Sequence, residues 1–311
     1  MAEVLIVSRL VQFAAVIVVF GCSAFRLYGI GVDAATTSAS ALAAFDAWSL
    51  RVTIVGAIVA LLSALSLILG VTANMAGSAA AALDPDRISK VLFDTSFGRV
   101  WCWHLVFAIL AIGVCLMPRV HWRMPAILVL SFLLLVSLGW VGHAVEGQGM
   151  VRLVHQINQM VHLLAAGLWL GGLLPLAWLL GRTRSRSGTA WISVARDVVP
   201  RFSQMGYAAV ALLAATGTVN ALLLVGNAEA LVGTPYGRLL GLKILLFLAM
   251  VAVALSNRFR LLPRLRREAQ ASAVAAALAR SVLCEQGLGF AILIVVSVLG
   301  TWPPAIHHHG G

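Results

Sequence analysis

Eight segments of this chain are long and apolar enough to cross a bilayer, and this constrains its fold more than any other feature. The hydrocarbon core is about 30 Å thick and each helical residue rises about 1.5 Å, so a spanning helix needs roughly 17 to 25 mostly apolar residues. The segments are 4–26, 52–74, 98–117, 124–142, 156–180, 204–225, 237–256 and 286–303. Peptide groups in hydrocarbon have no water to bond, so such segments span as helices that pair their own backbone. The expected fold is all-α: a polytopic membrane protein with about eight transmembrane helices. Charged residues make up only 11% of the 311 and hydrophobic residues 61%, whereas a soluble domain carries about 25% charged residues.

The net charge of +11 would suggest a nucleic-acid partner in a soluble protein. Here the arginines fall mainly between apolar spans, where basic residues set orientation, and nucleic-acid binding is excluded. The stretches "GRTRSRSGTAWISVARDVVPR" and "NRFRLLPRLRREAQ" follow spans five and seven. With the connections after spans one and three they mark the cytoplasmic side, which puts both termini in the periplasm. The connection 27–51, with Asp33 and Asp46, is expected to be a loop on the cytoplasmic side. Cys22, Cys102, Cys115 and Cys284 are widely spaced and imply neither a disulfide framework nor a zinc knuckle. Arg9 and Gln12 interrupt the first apolar stretch, so it reads as an uncleaved span and not a signal peptide.

An internal repeat is visible. "TSFGRVWCWH" (95–104) precedes span three and "TPYGRLLGLK" (234–243) precedes span seven; both are Thr-x-aromatic-Gly-Arg with a polar residue ten positions in, His104 or Lys243. Thr72-Ala73-Asn74 ends span two and Thr218-Val219-Asn220 lies near the end of span six, in the same order. The matches suggest two parallel four-helix halves, 1–150 and 151–311, within a single membrane domain. Repeats of this kind place the functional site near their interface.

Polar groups at membrane depth are costly unless paired, hydrated or metal-bound. His155 and His162 share a helix face but stand seven residues apart, roughly 10 Å along the axis, with Gln159 between them. They form a ladder leading inward and do not chelate one ion. His104 lies at about the depth of His162, so the two are expected to converge. His143 caps span four on the same side, Asn220 and Lys243 lie in the outer halves of spans six and seven, and Met160 is a nearby soft ligand. Imidazole with thioether suits copper better than magnesium or calcium. The candidate metal ligands are therefore His104, His143, His155, His162 and Met160, with Gln159, Asn220 and Lys243 supporting. Each residue also has a structural reading: a membrane histidine can bond a neighbouring carbonyl, Lys243 can snorkel, Met160 can be filler, and Gly171-Gly172 fits helix packing.

The motifs Gly142-His143-Ala144, "VHLLAAGLWLGGLLPL" (161–176), "RFSQMGYAAVALLAATGTVNALLLVG" (201–226) and "LVGTPYGRLLGLKILLFLAMVAVALSNR" (231–258) resemble the copper resistance protein D family (CopD/PcoD). The likeness runs from about residue 95 to "LGTWPPA" (299–305). It implies a bacterial inner-membrane protein that moves copper from periplasm to cytoplasm, often with a small periplasmic copper carrier of the CopC type. The family positions map here to His143, His162, Asn220 and Lys243. The terminal "HHHGG" (307–311) is either a copper-gathering tail or a tag remnant.

The chain shows no ATP-binding loop, phosphorylation motif or soluble catalytic domain, so it reads as a non-enzyme. Its transport would then be passive, ion-coupled or driven by a partner. Two alternatives stand beside copper uptake. One is a haem or quinol protein using His104 and His162 as a matched pair; the other is a copper-delivery factor for oxidase assembly.

Overall fold

The computed structural model describes residues 2–30, 39–118, 120–141, 149–185, 188–225, 227–265, 267 and 271–303. Its elements are α1 Ala2–Phe25, α2 Ala39–Ala76, α3 Pro85–Asp94, α4 Ser96–Leu116, α5 Arg123–Ser137, α6 Gly149–Arg182, α7 Gly188–Leu224, α8 Ala228–Gly233, α9 Pro235–Ser256, α10 Leu262–Leu265 and α11 Ala271–Leu299. Eight of the helices are long and apolar enough to span a membrane, and the protein is an all-α polytopic membrane protein.

Several helices outrun their apolar segments. α2 has 38 residues, α6 34 and α7 37, and at about 1.5 Å per residue each exceeds 50 Å. The segment expected to be a loop, 27–51, is instead helical at both ends. α1 continues through a π turn over Arg26–Ile30, and α2 begins at Ala39. Arg26 Nε contacts Asp46 Oδ1 at 2.8 Å and joins the two extensions; Asp33 lies outside the described residues. Hydropathy detects only the part of a helix that lies in hydrocarbon, so polar extensions beyond it read as loop.

Arginines at the basic end of the bundle tie the extensions together. Arg201 donates to Ile30 O at 2.8 Å and Arg196 to Leu265 O at 3.1 Å, satisfying carbonyls where helices end. The Arg182 guanidinium stacks 5.6 Å from the rings of both Trp178 and Trp191.

α1 and α6 pack along the centre of the bundle. A Cβ on Gly21 would overlap the Gly171 backbone, and one on Gly171 would overlap the Ile17 carbonyl, so only glycine permits this crossing. Lipid supplies no hydrophobic drive between helices, and such close backbone approach replaces it. The adjoining Gly172 lies under the Tyr28 hydroxyl and Phe202, so the Gly171-Gly172 pair is a packing site.

The two halves are built alike where the sequence repeats. Thr95 caps α4 by accepting from Gly98 N at 2.9 Å while donating to Val91 O at 2.6 Å. Thr234 caps α9 by accepting from Gly237 N at 3.0 Å while donating to Ala230 O at 2.7 Å. A Cβ at Gly98 would strike the Val91 carbonyl, and one at Gly237 the Ala230 carbonyl. In each half, a short helix thus turns into a spanning helix through a threonine cap and an obligatory glycine.

The halves differ in closure. In the first, α2 packs on α4 and α1 on α5. In the second, α6 packs on α7 and α11, and α9 packs on α11, but α7 and α9 meet far less than α2 and α4 do. Both helices line the larger cavity described below.

Candidate functional site

The cavity has a volume of about 490 Å³. Its walls are mainly apolar, with Phe13 and Ile17 from α1, Phe247 from α9 and Ile292 from α11. Its polar lining is Gln159, His162, Thr218, Asn227 and Lys243.

His162 Nδ1 lies 2.8 Å from Thr216 Oγ1, whose hydroxyl reaches Leu212 O at 2.6 Å. With the hydroxyl proton on that carbonyl, Thr216 accepts from Nδ1–H and the lone pair falls on Nε2, which has no hydrogen-bond partner among the described residues. Asn158 Nδ2 donates to Thr216 O at 3.0 Å and to Asn220 Oδ1 at 2.9 Å. Asn220 Nδ2 donates to Gln159 Oε1 at 3.1 Å, so α6 and α7 are locked together around the histidine.

Lys243 stands eight residues after Pro235 on α9, and Thr216 eight residues before Leu224 on α7. Both are thus about 12 Å from their helix ends at the same face of the bundle. Lys243 has neither a hydrogen bond nor an ion pair among the described residues. The site therefore combines an imidazole, an amide and the Lys243 amino group in an apolar cleft.

His104 belongs to a different network. It is fully buried, stacked on Trp101 with ring centroids 4.8 Å apart. Its Nδ1 meets Ser137 Oγ at 2.6 Å and its Nε2 meets Gln12 Nε2 at 2.7 Å, while Ser63 donates to Gln12 Oε1 at 2.6 Å. Both ring nitrogens are occupied. α4 does not pack on α6, and His104 shares no partner with His162, so the structure does not bring the two together as equal depth had suggested. Nor do they face each other across a common space, as two axial haem ligands would.

Met160 packs against Gly139 and is absent from the cavity lining. His155 is buried one heptad from His162. His143 and the 307–309 histidines lie outside the described residues. Among the described residues no group of three or more His, Cys, Asp or Glu side chains gathers in a metal-holding arrangement.

Two parts of this picture were not read from the sequence. Asn158 and Thr216 carry the tautomer of His162, and the only available signal was polar residues at i−4 from the histidine and on the facing span. Glu285 is the other. It is buried at 3% exposure and accepts from Asn257 Nδ2 at 2.6 Å. The apolar segment 286–303 begins one residue after it, so the hydropathy boundary removed it from the span.

Fold and cavity together define a helical membrane protein with a partly polar cleft among α1, α6, α7, α9 and α11. The chain belongs to the copper resistance protein D family. A model described as "Copper resistance protein D-like, N-terminal domain" matches residues 1–154, and one described as "Copper resistance protein D" matches residues 196–299. The chain is 33% identical over 301 residues to "Inner membrane protein YebZ" of Escherichia coli (strain K12), covering 96% of this chain and 98% of that one. It is 27% identical to "Copper resistance protein D" of Pseudomonas syringae pv. tomato, covering 96% of each. It is 28% identical to "Copper transport protein CutJ" of Bacillus subtilis (strain 168), over 74% of this chain and 41% of that protein. No solved structure matches the chain.

Proposed function

We propose that this protein handles copper at the bacterial inner membrane, taking it from the periplasm into the cleft between α7 and α9 and passing it toward the cytoplasm. The observation that carries this reading is His162 Nε2: a lone pair fixed by Thr216, facing a 490 Å³ intramembrane cavity. Family membership supports copper as the cargo. The arginines at the opposite end of the bundle support an orientation with the cleft on the periplasmic side and both termini outside. His155, and His143 by its place in the sequence, serve capture on the way in, where a CopC-type carrier would deliver the ion.

Lys243 gives this reading its mechanism. A transport site must bind its ion well enough to admit it and weakly enough to release it. In its protonated form Lys243 opposes a resident cation in the same apolar cleft, so copper does not become trapped on His162. Gln159 and Asn220 hold the α6–α7 wall in place while the ion passes.

The test is copper binding and radiolabelled copper uptake in proteoliposomes, for wild type, His162→Ala and Lys243→Met. His162→Ala should lose both binding and uptake. Lys243→Met should bind more tightly, by about tenfold, yet transport more slowly. Wild type that binds copper without moving it would establish a delivery factor instead. Binding that survives His162→Ala would overturn the site.

A further inference from the structure

Below the cleft, toward the basic end, lies a second and smaller cavity of about 90 Å³. Its polar lining is Ser203 and Tyr207 from α7, Asn257 and Arg258 from the π turn Asn257–Leu261 that follows α9, and Glu285 from α11. Glu285 stands midway along α11, one residue before the apolar segment 286–303, and meets Asn257 just past the end of α9, so the cluster lies at the basic, inner end of the apolar spans. Asn257 donates to it at 2.6 Å, and the Trp169 indole approaches the same carboxyl group.

Two observations say that this cluster is incomplete. Asn257 Oδ1 is buried with no hydrogen-bond partner, the sole buried side-chain polar atom in that condition among the described residues. A buried acceptor left unpaired costs free energy that native structures normally avoid. Second, Glu285 has no ion-pair partner among the described residues: Arg258 lines the same cavity but stacks its guanidinium 5.6 Å from the Tyr207 ring. A carboxylate and an orphan amide oxygen, side by side beside a small cavity, ask for a positively charged or proton-bearing guest. All the donors are oxygens, which soft copper disfavours. Asn257 also opens a π turn, a distortion that occurs often at functional sites.

The two cavities meet at one residue. Trp169 is 2% exposed and lines both, one heptad inward from His162. Its indole is therefore the partition between the His162 cleft and the Glu285 cavity, and it contacts the acid on the far side.

We propose that Glu285 with Asn257 is a proton-binding site at the inner end of the membrane spans. We further propose that Trp169 couples its protonation to movement of cargo out of the His162 cleft. One proton converts the Glu285 carboxylate to a neutral acid, which weakens its hold on Trp169; loss of that proton restores the charge and the hold. The charged or titratable neighbours on the elements around Glu285 are Arg258 at the end of α9 and Tyr207 on α7, with Lys243 on the other side of Trp169. The coupling rests on the proposed copper reading; the proton site itself does not.

Two measurements keep these apart. Infrared difference spectra of copper-free protein in lipid nanodiscs should show, in wild type, a carboxyl C=O band that titrates in the near-neutral range, where exposed carboxyl groups are already ionised. Glu285→Gln should abolish it, and Glu285→Asp, which keeps the acid, should retain it and control for folding. In proteoliposomes, copper uptake by wild type should respond severalfold to an imposed pH gradient. Glu285→Gln should bind copper at the His162 cleft with unchanged affinity but lose that response. A band that survives Glu285→Gln overturns the proton site, and a gradient response that survives it overturns the coupling. If wild type neither binds nor moves copper, the proposed function and the coupling fall, while the infrared titration still decides the proton site.

Discussion

Replacing Thr216 by valine removes one hydroxyl and nothing else of comparable size, so it tests how His162 is prepared for metal. The Thr216 oxygen accepts from His162 Nδ1–H at 2.8 Å and passes its own proton to Leu212 O at 2.6 Å. Without it, the ring has no partner for Nδ1 and can turn or shift its proton to Nε2, where it blocks the lone pair. Losing the group that orients a metal-binding histidine costs typically 10- to 100-fold in affinity, or about 1.4 to 2.7 kcal/mol. The Leu212 carbonyl keeps its helical neighbours, so the fold should lose only about 1 kcal/mol. The assay is competition between the protein in nanodiscs and a copper chelator of known affinity, beside a thermal melt. Thr216→Ser keeps the hydroxyl and should restore affinity to within about threefold of wild type. Unchanged affinity in Thr216→Val, or no recovery in Thr216→Ser, would refute the claim that this hydrogen bond prepares Nε2.

Three further outcomes are expected. Gly171→Leu should destabilise the bundle by at least about 2 kcal/mol, because its side chain must enter the space of the Ile17 carbonyl; thermal unfolding in detergent measures it, and a neutral result would contradict the close α1–α6 crossing. His104→Ala should leave the Gln12 side-chain nitrogen unpaired, while Ser63 still bonds Gln12 Oε1 and Ser137 still donates to Leu134 O, and should cost about 1 to 3 kcal/mol. Copper affinity should remain unchanged, since both nitrogens of His104 are already occupied; lost copper binding without lost stability would make His104 a ligand after all. For orientation, a chain with its four native cysteines replaced should react with a membrane-impermeant thiol reagent in intact spheroplasts when Glu229 is changed to cysteine. With Arg184 changed instead it should not react, and the reverse pattern would put the cleft on the cytoplasmic side.

The sequence by itself determined the class of fold and much of the chemistry at hand. Eight apolar stretches can only be eight helices, because backbone groups in hydrocarbon must bond within their own segment. The Thr-x-aromatic-Gly-Arg repeat also showed its meaning in one dimension, since a helix cap is local: Thr95 and Thr234 each bond a glycine three residues on. His162, Gln159, Asn220 and Lys243 stood out as polar groups in apolar surroundings; His162, Gln159 and Lys243 line one cavity, and Asn220 bonds Gln159 from α7. Which polar groups share a space was decided only by tertiary structure. Equal depth fixes one coordinate of a residue, whereas contact needs rotation about the helix axis and the choice of neighbouring helix as well. His104 and His162 match in the first and differ in the rest: one turns to Gln12 and Ser137, the other to Thr216 across an interface that α7 supplies. The cleft is lined jointly by α1, α6, α7, α9 and α11, and the Glu285 site joins Trp169, Asn257 and Glu285 from separate elements of the chain. No window of sequence contains such a cleft or such a meeting, since both arise from how helix faces are shared among neighbours.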